Sequence, residues 1–209
     1  GDQEVPALSA PMSARSFLSA LAGIAALLLL VSGCASLTTP PVPPPPRDTL
    51  AAFSLEGRFA LNHETRSYSG RISWTYRPNA SELLLSSPFG QGLAEIVTDA
   101  DGARLTGSDG SIRTAPDAET LTREVLGYPL PLKQLADWVR GRTPPGSRRL
   151  DPLGRVLSLQ QDGWLIDYGY GDDAPGSPPL RISARQGENV ELRIFIDAWQ
   201  SISPEEVHP

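Results

Sequence analysis

Cys34 is the only cysteine in a chain of 209 residues, and His63 and His208 are its only histidines. A Ser–His–Asp arrangement needs a histidine held in place on a scaffold. His63 falls in a turn between two alternating runs and His208 is the penultimate residue, so neither suits that role. No His/Cys group has the spacing of metal ligands. Gly169-Tyr170-Gly171 lacks the strand–turn–helix context of a phosphate loop. Asp172-Asp173 reads as a solvated loop. Carboxylates brought together by folding could still hydrolyse a glycan, the one catalytic chemistry left open. The residue types therefore point away from an enzyme, and they call for no metal and no other cofactor. The remaining reactive group is the Cys34 thiol.

Cys34 closes an apolar run. Residues 17–31 are of signal-peptide length and too short to span a hydrocarbon core comfortably. Residues 27–34 read LLLLVSGC, with small residues directly before the cysteine. This resembles a bacterial lipoprotein signal, in which small residues let a peptidase approach the backbone beside the thiol. The resemblance implies cleavage before Cys34, diacylation of its sulfur and acylation of the new amine. The other reading is an uncleaved anchor with a cysteine buried at its edge. Met12 is the only methionine, and Ser13-Ala14-Arg15 makes a weakly basic start. Residues 1–11 are then an upstream extension and 12–33 the signal peptide. An acylated Cys34 leaves no disulfide, so packing alone holds the fold.

Residues 34–51 read as a tether. Residues 40–46 are almost all proline, which favours an extended, semi-rigid polyproline segment of about 3 Å per residue. A PxxP ligand is the alternative. The formal net charge of −6, with scattered charges, makes a poor partner for nucleic acid or an anionic surface.

From Ala52 the pattern has a period of two. Strands are predicted over residues 55–61, 68–76, 82–86, 92–98, 103–107 and 111–114, with Asp101-Gly102 and Asp109-Gly110 at hairpin turns. The period then changes. Pro116, Asp117 and Glu119 at one end and Gly127 at the other bound a helix over 117–126. A second helix spans 132–140, with Leu132, Leu135, Ala136 and Val139 on one face. Residues 142–152 read as a Pro/Arg-rich loop. Strands resume over 155–160, 163–170, 180–184 and 190–199, and residues 201–209 form a tail. Strands interrupted by two helices predict a mainly β fold with some α. Its curved antiparallel sheet forms an incomplete barrel over residues 52–200, with helices on the concave face.

The apolar residues of that face leave two possibilities. Phe59, Trp74, Trp164 and Tyr168 on strands, and Trp138 on the second helix, would make an ordinary core. Two short helices also cover little of a curved sheet, and an uncovered apolar face could close over a cavity for an apolar ligand.

Several strings then fall in order: Leu55-x-Gly57-Arg58-Phe59; Trp74; LLLSSPFG at 83–90; Gly127-x-Pro129-Leu130-Pro131-Leu132; Leu135-x-x-Trp138-Val139-x-Gly141; Gly163-Trp164-x-Ile166-x-Tyr168; and Asp197-Ala198-Trp199. The ordered set resembles the LolB family of outer-membrane lipoprotein receptors, relatives of the soluble periplasmic carrier LolA. The resemblance implies an incomplete barrel enclosing a hydrophobic cavity, with Phe59, Leu61, Ile72, Trp74, Leu83, Leu85, Leu135, Trp138, Trp164, Tyr168, Ile194 and Ile196 expected around acyl chains. It implies transfer of acylated lipoproteins from LolA to the inner leaflet of the outer membrane, by a lipid-anchored monomer facing the periplasm. Ala35 after Cys34, rather than the aspartate of inner-membrane retention, accords with that address. The family's protruding apolar residue falls in the loop Pro88, Phe89, Gly90. Phe89 stands where leucine is common, and Pro88 and Gly90 would frame a turn projecting its ring; the alternative is a ring folded into the core. The polar stretch before the first strand is short, so a leading helix is expected to be short or absent. A structural lipoprotein of envelope assembly, binding a protein partner without lipid transfer, is the reading from another class.

Overall fold

The computed structural model describes residues 43–144 and 147–203. Cys34, the signal peptide at 12–33, the extension at 1–11, the first half of the tether (34–42) and the tail beyond Ser203 lie outside those residues.

The strands are β1 (Ala52–His63), β2 (Arg66–Arg77), β3 (Ala80–Ser86), β4 (Gly92–Asp99), β5 (Gly102–Gly107), β6 (Ile112–Ala115), β7 (Arg148–Leu150), β8 (Val156–Gln161), β9 (Trp164–Gly169), β10 (Arg181–Gln186) and β11 (Val190–Ile202). Helices α1 (Ala118–Leu126) and α2 (Leu132–Val139) lie between β6 and β7 in the chain. Among the described residues the strands form one antiparallel sheet in the order β6-β5-β4-β3-β2-β1-β11-β10-β9-β8-β7. The sheet does not close, since β6 and β7 stay at opposite edges. The expected incomplete barrel is therefore the observed architecture.

Alternation explains the two faces. Phe53, Leu55 and Leu61 of β1 are buried while Glu56, Arg58 and Asn62 point outward. Val190, Leu192, Ile194 and Ile196 of β11 are buried in the same way. Strands of period two must bury one face, and here that face is concave and met by the helices. The β1–β11 ladder slips at Glu56/Gly57. A Cβ on Gly57 would stand 2.2 Å from the Phe195 carbonyl oxygen, so only glycine lets the strands come this close.

The helices are capped as their ends require. Asp117 Oδ1 accepts from the Thr120 N–H at 2.7 Å, and Gly127, with φ 80°, donates its N–H to the Arg123 carbonyl. Helices of nine and eight residues are too short to stand alone in water, so their packing holds them. Leu121 and Thr122 of α1, and Leu135, Ala136, Trp138 and Val139 of α2, face the sheet.

Three details differ from the sequence reading. The 142–152 loop contains β7, whose three residues are all exposed and so carry no alternating burial. Packing begins before Ala52: a short 3-10 turn (Arg47–Thr49) leads to Leu50, which is fully buried. Strand β11 runs on to Ile202, into the expected tail. No helix among the described residues is long and apolar enough to cross a membrane.

Candidate functional site

The concave face is solid on one side and hollow on the other. The hollow is an apolar cavity of about 580 Å³, within the usual range for small-molecule sites. Seven residues expected there do line it: Phe59 and Leu61 on β1, Ile72 on β2, Leu83 and Leu85 on β3, Leu135 on α2 and Ile194 on β11. Among the other lining residues are Leu93, Ala94, Ile96 and Leu105 of β4 and β5, Val125 and Leu126 of α1, and Leu130 in the corner between the helices. Sequence reasoning missed these. Ala94 and Ile96 alternate on β4 and mark an inward face, but β4 and β5 are short and only α1, arriving over them, turns that face into a wall.

The wall has little polar chemistry. The Thr122 hydroxyl donates to the Ala118 carbonyl at 2.8 Å and accepts from the Leu130 N–H at 2.9 Å, which pins the helix corner over the chamber. Its O–H proton is thus spent within the protein. Among the described residues no group of three or more acidic, histidine or cysteine side chains could hold a metal.

Trp74, Trp138, Trp164, Tyr168 and Ile196, also expected around acyl chains, are not among the residues that line this hollow. They fill the solid side. Trp138 packs on Trp164 with ring centroids 5.5 Å apart, and its indole N–H donates to Gln161 Oε1 at 2.9 Å. Trp74 sits edge-on to Phe53 at 5.5 Å and donates to Ser81 Oγ at 2.7 Å. Buried indoles need a polar partner for the N–H, and a strand neighbour or a glutamine supplies one where a lipid chain could not. Ile196 is buried in the same packed core. Tyr168 is buried with no hydrogen-bond partner for its hydroxyl among the described residues. Burial, then Tyr170 and Asp137, push its pKa well above the ordinary tyrosine value. Alternation told which face these residues occupy, but where α2 presses onto the curved sheet decided between chamber and core.

The loop between β3 and β4 carries the exposed ring. Ser87 N–H donates to the Gln91 carbonyl at 2.7 Å, and Gly90 N–H donates to the Ser87 carbonyl at 2.9 Å. Gly90 has φ 87°, a conformation that glycine takes without strain. The closed turn leaves Pro88 exposed and Phe89 98% exposed. A ring so fully in water has no packing role in this structure. Leu85 and Leu93, on either side of the loop, both line the cavity, and Leu93 is itself 40% exposed. The ring therefore stands beside an apolar mouth.

Residues 51–199 match the family model described as outer membrane lipoprotein LolB. The chain belongs to the LolB family. It is 41% identical over 177 residues to the outer-membrane lipoprotein LolB of Dechloromonas aromatica, covering 82% of this chain and 92% of that protein. It is 40% identical over 185 residues to the LolB of Thiobacillus denitrificans, covering 87% and 97%. The matches span both helices and every strand that lines the chamber, so the LolB likeness covers the site as well as the scaffold.

Proposed function

We propose that this chain is an outer-membrane lipoprotein receptor. It accepts acylated lipoproteins from the periplasmic carrier LolA into the chamber and passes them to the inner leaflet of the outer membrane. In this reading Cys34 is acylated, the proline tether holds the domain on the periplasmic side, and the receptor acts as a monomer. The observation that carries the reading is the adjacency of an apolar chamber and an exposed phenyl ring on one loop.

The physics of the cargo explains both features. Each methylene moved out of water is worth about 0.8 kcal/mol, so a triacylated protein cannot cross an aqueous space unshielded. A chamber with largely aliphatic walls and few polar groups shelters chains without demanding a specific head group. No bond is made or broken and no nucleotide is used, so transfer runs downhill. The receptor must hold acyl chains more tightly than the carrier and less tightly than the bilayer. The Phe89 ring gains roughly 2 kcal/mol on leaving water, enough for brief contact at the headgroup–acyl boundary and too little to anchor the domain.

The test is transfer. Carrier–lipoprotein complex is mixed with the mature chain, residues 34–209, carrying Cys34→Ala, which removes its own lipids, and cargo is followed by co-purification. Cargo should leave the carrier and then pass to added liposomes. Cargo that stays on the carrier would refute the receptor reading and favour a structural envelope protein.

A further inference from the structure

We propose that the free edge of β2 at residues 66–69 binds the main chain of the cargo. The first extended residues after the acylated cysteine would add there as a short strand while the acyl chains fill the chamber. This rests on the receptor reading above.

On one side, β2 is paired with β1 from Phe53↔Tyr76 to His63↔Arg66. On the other side, its ladder with β3 starts only at Arg71↔Ser86. Residues 66–69 therefore have a strand on one side and no described strand on the other. The end of β3 passes close by at Gly70, where a Cβ would stand 2.2 Å from the Ser86 carbonyl oxygen, and the chain then turns off into the loop that carries Phe89. Ser67, Tyr68 and Ser69 also line the chamber, with both serines exposed. The free edge is thus part of the mouth.

A strand edge with open N–H and C=O groups is a template for another chain, and proteins blunt such edges with short strands, proline or lysine. The outer edges of the sheet are short, with four residues in β6 and three in β7; the free stretch of β2 is as short as β6, but it alone lies beside the chamber. The β2 edge has neither proline nor lysine, and its only charge is Arg66.

The occupant follows from the chamber. Acyl chains held inside place the acylated cysteine at the mouth, and the residues after it leave through that mouth, of which this edge is one side. This chain's own sequence after Cys34, Ala35-Ser36-Leu37-Thr38-Thr39, is of the same class: five residues before the first proline, each with an N–H to donate. Pairing through the main chain reads no side chains, which suits cargo whose linkers differ.

The experiment uses the mature chain, residues 34–209, with Cys34→Ala and three probes: palmitate, a triacylated peptide with the sequence of residues 34–39, and that peptide N-methylated on alternate backbone nitrogens. Amide exchange of residues 66–69 and dissociation constants are measured for each. The lipopeptide should slow edge exchange and palmitate should not. N-methylation should weaken binding about tenfold, as expected for one or two lost main-chain hydrogen bonds. Equal protection by palmitate, or equal affinity of the N-methylated peptide, overturns the strand-addition proposal and leaves the receptor reading standing. If neither palmitate nor lipopeptide binds, both readings fall.

Discussion

Arg140 Nη1 donates to the Leu50 carbonyl at 3.0 Å and to that of Ala51 at 3.2 Å, so the end of α2 is tied to the residues that lead into β1. Its Nε donates to the Ala136 carbonyl at 2.8 Å, its Nη2 pairs with Asp137, and its guanidinium lies 5.0 Å from the Tyr76 ring centroid. Burial, then Arg142, lower its pKa, while Asp137 and Tyr76 act the other way. The residue is 3% exposed, so removing it strands buried carbonyls. Arg140→Met should cost about 3 kcal/mol in urea unfolding, and Arg140→Lys should recover less than half of that, because one ammonium cannot reach all of these acceptors. An unchanged urea midpoint in Arg140→Met would rule out this tie.

Phe89 separates accepting cargo from delivering it. The ring touches no core, so Phe89→Glu should keep its stability within about 0.5 kcal/mol. It should still accept lipoprotein from the carrier and fail to release it into liposomes, because a carboxylate is repelled from the acyl boundary. Phe89→Leu should behave as the parent. Equal loss of both transfer steps would show that the loop serves the chamber and not the membrane.

The chamber can be tested by filling it. Ala94 lines it with a small side chain, so Ala94→Phe should take up space and lower the affinity for a fluorescent fatty acid about tenfold, with thermal stability equal or raised. Ile72→Glu should abolish binding by placing an unpaired charge in the apolar wall, and should also destabilise the fold. A folded Ala94→Phe variant that binds the probe unchanged would place the acyl chains elsewhere.

Trp74 marks the boundary of the chamber from the solid side. Trp74→Ala should cost about 4 kcal/mol, the loss of a buried aromatic side chain with its cluster. At temperatures where the variant remains folded, probe affinity should stay within about threefold of the parent. A large affinity loss in folded protein would return Trp74 to the acyl site.

Asp151 gives the fold an acid limb. Burial raises its pKa, but hydrogen bonds from the Arg155 and Leu153 N–H groups and the Arg155 guanidinium lower it by more, so the carboxyl is held below the ordinary value. A group whose folded pKa is depressed contributes stability above its unfolded pKa, near 4, and loses it as pH falls toward the folded value. Asp151→Asn should therefore lower stability at pH 7 and flatten the decline below about pH 4 in denaturant titrations. An acid limb as steep as the parent's would assign it to other carboxylates.

Much of the fold was legible because its signals are local. Alternation in β1, β2, β9 and β11, the Asp-Gly turns, and the Asp117 and Gly127 ends of α1 each depend on a few neighbouring residues, and each element lies within three residues of its predicted bounds. Pro88 and Gly90 likewise predicted a projecting Phe89. Period two says which side chains share a face, but nothing about how far the sheet curves or where a helix presses upon it. Those contacts join residues far apart in the chain, such as Trp138 with Gln161 and Thr122 with Leu130. They decided that the tryptophans form a solid core, that aliphatic residues of β1 to β5 and β11 line the chamber, and that β2 keeps an open edge at its mouth.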